Sequence, residues 1–458
     1  MKNPLLPCAV FIALLSVLFL MISCPQAAVR NPYEDLEAGT FWAQNLATNK
    51  YYTVDSVLLA EGGKCVVWAE RSAGVSVAAG VEVAREYDEK IYPVIVETFG
   101  SDKIMEDSDV DGDGKLTLLL LDIKDGFNGT GAYTAGYFFS NDLLLSSSND
   151  HSNERDMLYV DTYPSSLGSK DSYATIAHEL QHFINFSMRS SNGYRSMDIW
   201  IDEGLSAAAE YVYLGQHNKE RITQFAYSET IQQGNNFFVW GERPAYILDE
   251  YSTVYLFFQW LRIQSGGLEI FRRIIASEQS DYRAVTEAIS GTFAAELGST
   301  SWETILRSWL AANYINSPEG LYGYHDEISE LQVWALGGRT QQLWPGEGVY
   351  SLAGDSPGAL PGSGGPNIRY AGLRKAADSP SEPLVSLDAL YPNGRLLTFN
   401  SNERKNDSDE RGRLTGGGEE AIPQPPPSTG TGRSAGPAGD SWVIDARDIL
   451  GRPDDGDG

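Results

Sequence analysis

Ser172-Tyr173-Ala174-Thr175-Ile176-Ala177-His178-Glu179-Leu180-Gln181-His182-Phe183-Ile184-Asn185-Phe186 is the stretch on which the reading of this chain turns. Its apolar residues Ile176, Ala177, Leu180, Phe183 and Ile184 recur at helical spacing, so the segment predicts a largely buried helix. His178 and His182 are four residues apart and share one face of such a helix. They can present two imidazoles to one metal ion, while Glu179 leans over the same ion without ligating it. The chain has 5 histidines in all, so two at this spacing in an apolar helix need a reason. The plain alternative is a pair of hydrogen-bonded histidines on an ordinary helix.

His-Glu-x-x-His is the spacing by which zinc hydrolases hold their metal. Zinc lowers the pKa of its bound water to about 7, and the carboxylate takes the proton as water attacks a carbonyl. A catalytic zinc keeps three protein ligands and one open position. Downstream, Trp200-Ile201-Asp202-Glu203-Gly204-Leu205-Ser206-Ala207-Ala208-Ala209-Glu210 predicts a second helix, and it offers Asp202 or Glu203 as the third ligand. Gly204, Ser206 and Ala207 are small enough for two helices to approach closely. Glu203 also has a simpler reading, as an acid favoured by the dipole at a helix start. Glu210, two turns on, is either an acid that orients a ligand histidine or a solvated charge. A further apolar helix, Tyr251–Leu261, has Tyr251 and Tyr255 near its start, each a packing residue or a phenol aimed at an oxyanion. His325, on a loop, is a weaker source of such a donor.

Trp200 to Ala207 is similar to the Trp-x-Asn/Asp-Glu-Gly-x-Ala segment of the gluzincins, zinc proteases with a glutamate third ligand. That resemblance implies Glu203 as the ligand and Tyr251 as the oxyanion donor. Three features together, the Asp-rich loop Asp109–Gly114 with the Leu-rich run Leu116–Asp122 that follows it, His178–Asn185 and Trp200–Ser206, resemble the hyicolysin family of bacterial neutral metallopeptidases over roughly residues 90 to 265. The resemblance implies a gluzincin or thermolysin-like α+β fold, an edge-stranded sheet beside a helical lobe. It also implies one zinc on His178, His182 and Glu203, Glu179 as catalytic base, and endopeptidase activity on proteins or peptides. The Gly-x-Met-Glu-Asn type segment of aminopeptidases is absent, which disfavours the alternative of a zinc aminopeptidase. A non-catalytic surface protein that keeps the fold is the other alternative; it would be marked by loss of a ligand or of the glutamate, and none is lost.

Upstream, Asp109-Val110-Asp111-Gly112-Asp113-Gly114 matches the first half of a calcium loop, with oxygen ligands at alternate positions and then glycine. The twelfth position is Leu120, so it is not an EF-hand, and an acidic β-turn is the competing reading. Asp109, Asp111 and Asp113 are the candidate calcium ligands. The run from Leu116 to Asp122 reads as a buried strand.

The 458 residues carry a formal net charge of −28, which excludes a phosphate-binding basic face and hence nucleic acid. Residues 1–24 read as a signal peptide: Lys2, an apolar run from Leu5 to Ile22, then Ser23-Cys24. The small residue before Cys24 resembles a lipobox and predicts a lipidated Cys24 anchoring an exported protein to a membrane, with ordinary secretion as the alternative. Cys65 is then the remaining cysteine, so no intramolecular disulfide is expected. The expected organisation continues with a β-rich region at 25–84, a catalytic domain at 85–330, a β-rich appendage at 331–400 and a largely disordered tail at 401–458.

Overall fold

A computed structural model of the chain describes residues 33–131, 133–234, 238, 240, 247–336, 342–362, 364–375, 383–403 and the short segments 412–413 and 443–445. Met1–Glu37 and Ala38–Gly458 are separate compact units. Of the first, residues 33–37 are described, a turn in which Leu36 N–H donates to Tyr33 O at 3.3 Å. The expected signal peptide and Cys24 lie outside the described residues, as does most of the expected tail.

The second unit opens with strands β1 (Ala38–Asn45), β2 (Lys50–Glu61) and β3 (Cys65–Glu70), an antiparallel meander. Gly62 N–H donates to Cys65 O at 2.8 Å, closing the turn between β2 and β3. Helices α1 (Val77–Glu86), α2 (Tyr92–Phe99) and α3 (Asp102–Asp107) then lead to β4 (Leu116–Leu121), which is parallel to β3. Every residue of β4 is buried, which explains a continuous apolar run instead of alternation. β5 (Tyr133–Phe138) and β6 (Met157–Asp161) complete this half of the sheet, β6 parallel to β4 and β5 antiparallel to β6.

The strand order is β1-β2-β3-β4-β6-β5, continued by β16 (Val443–Asp445) parallel to β5. The sheet thus runs across the boundary expected at residue 84, and β1–β3 share it with the strands beside the candidate site. β5 and β6 go beyond the single strand predicted ahead of the helices. Both are buried throughout, so neither shows polar–apolar alternation, neither has the unbroken leucine run of β4, and β5 contains Gly136. Beneath the loop between them, Asp142 accepts from Tyr159 Oη at 2.7 Å and from Asn153 N and Nδ2 at 2.9 Å. Burial nonetheless pushes the Asp142 carboxyl up to about 7 against these bonds.

The helices follow: α4 (Lys170–Ser191), α5 (Ile199–Leu214), α6 (Lys219–Tyr227), α7 (Glu229–Gln232), α8 (Ile247–Gln264), α9 (Glu269–Ala276), α10 (Tyr282–Ala288), α11 (Gly291–Leu297) and α12 (Trp302–Ile315). Ser169 caps α4 by accepting from Ser172 N–H at 3.1 Å, a bond of a kind that contributes about 1 kcal/mol. α4 packs on β5 and β6 and against α5, and α5 packs on α8. Trp200, Phe257 and Trp302 form an aromatic core at ring separations of 5.8–6.0 Å. The fold is therefore mixed α+β, as the sequence predicts.

Past α12 the chain forms β7 (Ala335–Leu336), β8 (Gln342–Leu343), β9 (Gly348–Leu352), β10 (Gly358–Ala359), β11 (Ile368–Leu373), β12 (Val385–Ser386), β13 (Ala389–Leu390), β14 (Arg395–Asn400) and β15 (Gly412–Arg413). A second sheet of order β12-β11-β14-β9-β7 lies within the β-rich stretch expected at 331–400.

Candidate metal centre

The two histidines stand in the middle of α4, a 22-residue helix anchored at both ends. His178 is 4% exposed and His182 is fully buried. α5 crosses beside them and inserts Glu203, also fully buried. Glu203 Oε2 lies 3.3 Å from His178 Nε2 and 3.4 Å from His182 Nε2. One ligating atom from each of the three lies within 4.8 Å of the others. The structure thus brings together the three residues that the sequence proposes as zinc ligands.

Both imidazoles have defined tautomers. His178 Nδ1 sits 3.0 Å from Glu210 Oε1. Glu210 is held down at about 2, burial being outweighed by Arg221, His178 and Asn218; as a carboxylate it can only accept, so Nδ1 carries the proton. Around His182 the Ser206 hydroxyl donates to Gln181 Oε1 at 2.5 Å, so it accepts from His182 Nδ1 at 3.1 Å. Asp202 Oδ2 stands 3.2 Å from the same nitrogen. With Nδ1 as the donor, the neutral form of each imidazole would turn its Nε2 lone pair toward Glu203, the arrangement by which carboxylates orient metal-binding histidines.

Asp202, the rival ligand on sequence grounds, is a histidine-orienting residue here, and Glu210 is buried rather than solvated. Asn218 Nδ2 and Arg221 Nη2 hold Glu210 from behind, at 3.2 and 3.4 Å. Neither has a local sequence signal, because both come from the turn and helix after α5.

The set fits a divalent metal by its own chemistry. Two imidazole Nε2 atoms and one carboxylate converge in a buried space, and Glu203 Oε1 is buried with no hydrogen-bond partner. Such an orphaned oxygen costs about 1–3 kcal/mol or more unless something binds it. Without a metal, burial opposes a charge on His178, but Glu203 and Glu210 outweigh it and hold the group up at about 9. A proton then takes the place of a cation.

Glu179 is 2% exposed and faces β5. An added Cβ at Gly136 would lie 2.8 Å from Thr175 Cγ2 and 3.1 Å from Glu179 Cγ. A glycine at that point is what lets the strand approach the helix next to the candidate base. Gly204 does a related job on the far side of α5. Its small size was expected to serve the contact with α4; it serves α8, where an added Cβ would lie 2.3 Å from Phe258 Cε2. Ser206 is the small residue that faces α4.

Tyr251 is 1% exposed, its ring centroid 6.2 Å from that of His178 and 4.5 Å from the Arg221 guanidinium carbon. Tyr255 turns elsewhere: its hydroxyl lies 2.9 Å from His217 Nδ1 and accepts from Asn218 N–H at 3.0 Å. His325 Nε2 is tied to Gly320 O at 2.9 Å in its own loop.

The chain is similar to a neutral metalloprotease. It is 35% identical over 259 residues to Neutral metalloprotease ShpI of Staphylococcus hyicus. The match covers 55% of this chain and 57% of that relative, so the chain spans little more than half of the relative's length. No family model matches the sequence.

The acidic loop is rearranged relative to expectation. Asp109 and Asp111 do come together, but with Asp156 in place of Asp113. Asp113 Oδ1 instead accepts from Lys115 N–H at 2.7 Å. The reason is topological: β6 lies next to β4, and Asp156, the residue before β6, meets the loop that leads into β4. Among the described residues no helix is long and apolar enough to cross a membrane.

Proposed function

We propose that this chain is a zinc-dependent endopeptidase of the gluzincin type, related to the hyicolysins, that cleaves protein or peptide substrates. The observation that carries the reading is the convergence of His178 Nε2, His182 Nε2 and Glu203 Oε2, with both Nδ1 protons committed to acceptors behind the rings. Its similarity to a neutral metalloprotease over 259 residues supports the same reading.

Bound zinc would supply a Lewis acid that polarises a carbonyl and lowers the pKa of water to about 7. The chain does the rest. His178, His182 and Glu203 hold the ion; Glu210 and Asp202 keep the imidazoles in the ligating orientation. Glu179 takes the proton of the attacking water and passes it to the leaving amine. Tyr251 donates to the oxyanion; Tyr255 is disfavoured because its hydroxyl is engaged with His217 and Asn218. The buried, low-dielectric surroundings strengthen each of these interactions. An exported setting, with lipid attachment at Cys24, belongs to the same reading and rests on Lys2, the apolar run from Leu5 to Ile22 and the Ser23-Cys24 pair that follows it.

The test is Glu179→Gln. The variant is expected to retain one zinc per chain and to lose casein cleavage by a factor of about 10²–10⁴. Cleavage at the wild-type rate would refute the assignment. Casein measured beside aminoacyl chromogenic substrates separates endopeptidase from aminopeptidase action.

A further inference from the structure

We propose that Asp109, Asp111 and Asp156 bind a calcium ion that fastens the loop after α3 to the start of β6. One carboxylate oxygen from each of the three lies within 4.8 Å of the others. Asp156 is 3% exposed, and its Oδ1 is buried with no hydrogen-bond partner. An ionised carboxylate in that position is expensive unless a cation meets it. The residue is fixed from behind, since its carbonyl accepts from Thr117 N–H of β4 at 2.9 Å.

The other two groups are also fixed in place. Asp109 Oδ1 and Oδ2 accept from Gly112 N–H at 2.8 Å and Gly114 N–H at 3.0 Å. Arg155 Nη1 lies 2.6 Å from Asp111 Oδ2. Of the three carboxylates Asp111 is the one paired with the Arg155 guanidinium, and the field of Asp113 acts on Asp111 as well, so the cluster keeps an excess of negative charge that a divalent cation would offset. All the donors are oxygen, which selects against soft transition metals. A surface loop on one side and a strand on the other form an irregular cage; this suits calcium, which accepts varied geometry, better than magnesium, which demands a near-ideal octahedron.

The site is separate from the histidine centre and does not depend on how that centre is read. Bound calcium would clamp the loop entering β4 to the strand beside it and so stabilise one end of the sheet on which α4 rests.

The experiment uses the full chain, freed of metal with a chelator and exchanged into calcium-free buffer. Thermal melting and isothermal titration are followed as calcium chloride is added. Calcium is expected to bind with one-to-one stoichiometry and to raise Tm by several degrees. A His178→Ala/His182→Ala variant should respond like wild type. Asp156→Asn should lose the response while melting at or above the wild-type cation-free Tm, because a neutral amide replaces the buried carboxylate. That higher starting point distinguishes loss of binding from misfolding. The proposal is overturned if wild type shows no calcium response, if magnesium or potassium chloride at equal ionic strength reproduces it, or if Asp156→Asn keeps it.

Discussion

Gly204→Ala probes how tightly the candidate centre is gripped. Gly204 follows Glu203 in α5 and faces Phe258 of α8. An added Cβ would sit 2.3, 2.5 and 2.9 Å from three carbons of that ring, against an ordinary carbon–carbon separation of about 3.5–4.0 Å. The shortfall exceeds about 1 Å at two ring atoms. The ring cannot swing aside: Phe258 is fully buried, with Phe257, Trp200 and Phe271 at centroid distances of 5.8, 6.2 and 6.4 Å. Overpacking of this kind costs about 1–3 kcal/mol. Alanine recovers about 1 kcal/mol through helix propensity. The net expectation is a loss of up to about 2 kcal/mol, seen as a Tm lower by up to a few degrees. If the strain is relieved by moving α5, Glu203 moves with it, and metal sites tolerate errors of only about 0.2 Å. Zinc affinity, measured by competition with a chromogenic chelator, should therefore fall together with Tm. An unchanged zinc affinity with a Tm raised by the propensity gain alone would show that the α5–α8 contact is not close, and the argument would fail.

Three other outcomes follow from the same geometry. Glu210→Gln should weaken zinc binding by about 10–100-fold, because the amide loses the charge that orients His178 Nδ1–H; equal affinity in a chelator competition would remove Glu210 from the site. Tyr251→Phe should lower kcat by about 10²–10³ with zinc and KM little changed, whereas Tyr255→Phe should not; the reverse ranking would reassign the donor. Asp142 gives a pH dependence. Its folded value of about 7 lies above the ordinary 3.8, so between those values the folded state holds a proton that the unfolded state gives up. Stability from this group falls as pH rises through that window and levels off above about 7. Asp142→Asn should reduce that slope, read as the difference in Tm between about pH 5 and about pH 8, while Asp161 and Asp156, raised by burial to about 7 and about 8, keep their own share; an unaltered slope would contradict the assignment.

Much of the candidate site was legible because it is local. His178, Glu179 and His182 share one helix, and the 3.6-residue period alone decides which way they point. β4 was legible for a similar reason, since a strand buried on both faces must be apolar throughout. The long helices α5, α8 and α12 carry enough turns for their periodicity to stand out.

Other features depend on chain segments far apart in sequence, and no local pattern reports them. That Glu203 meets the histidines while Asp202 stands behind one of them depends on the rotation of α5 against α4. Asn218 and Arg221 reach Glu210 only because the turn after α5 folds back. β5 and β6 have neither alternation nor the unbroken apolar run of β4, and their place in the sheet, beside β4 and against α4, decides that Gly136 lies next to Glu179. The acidic loop shows the division most plainly. Its sequence determined that carboxylates would project from a glycine-rich turn, but the partner of Asp109 and Asp111 was decided by the pairing of β6 with β4. That pairing brings Asp156 across 45 residues of chain to within 4.8 Å of Asp111, because strand neighbours are chosen by burial and hydrogen bonding across the sheet rather than by distance along the sequence.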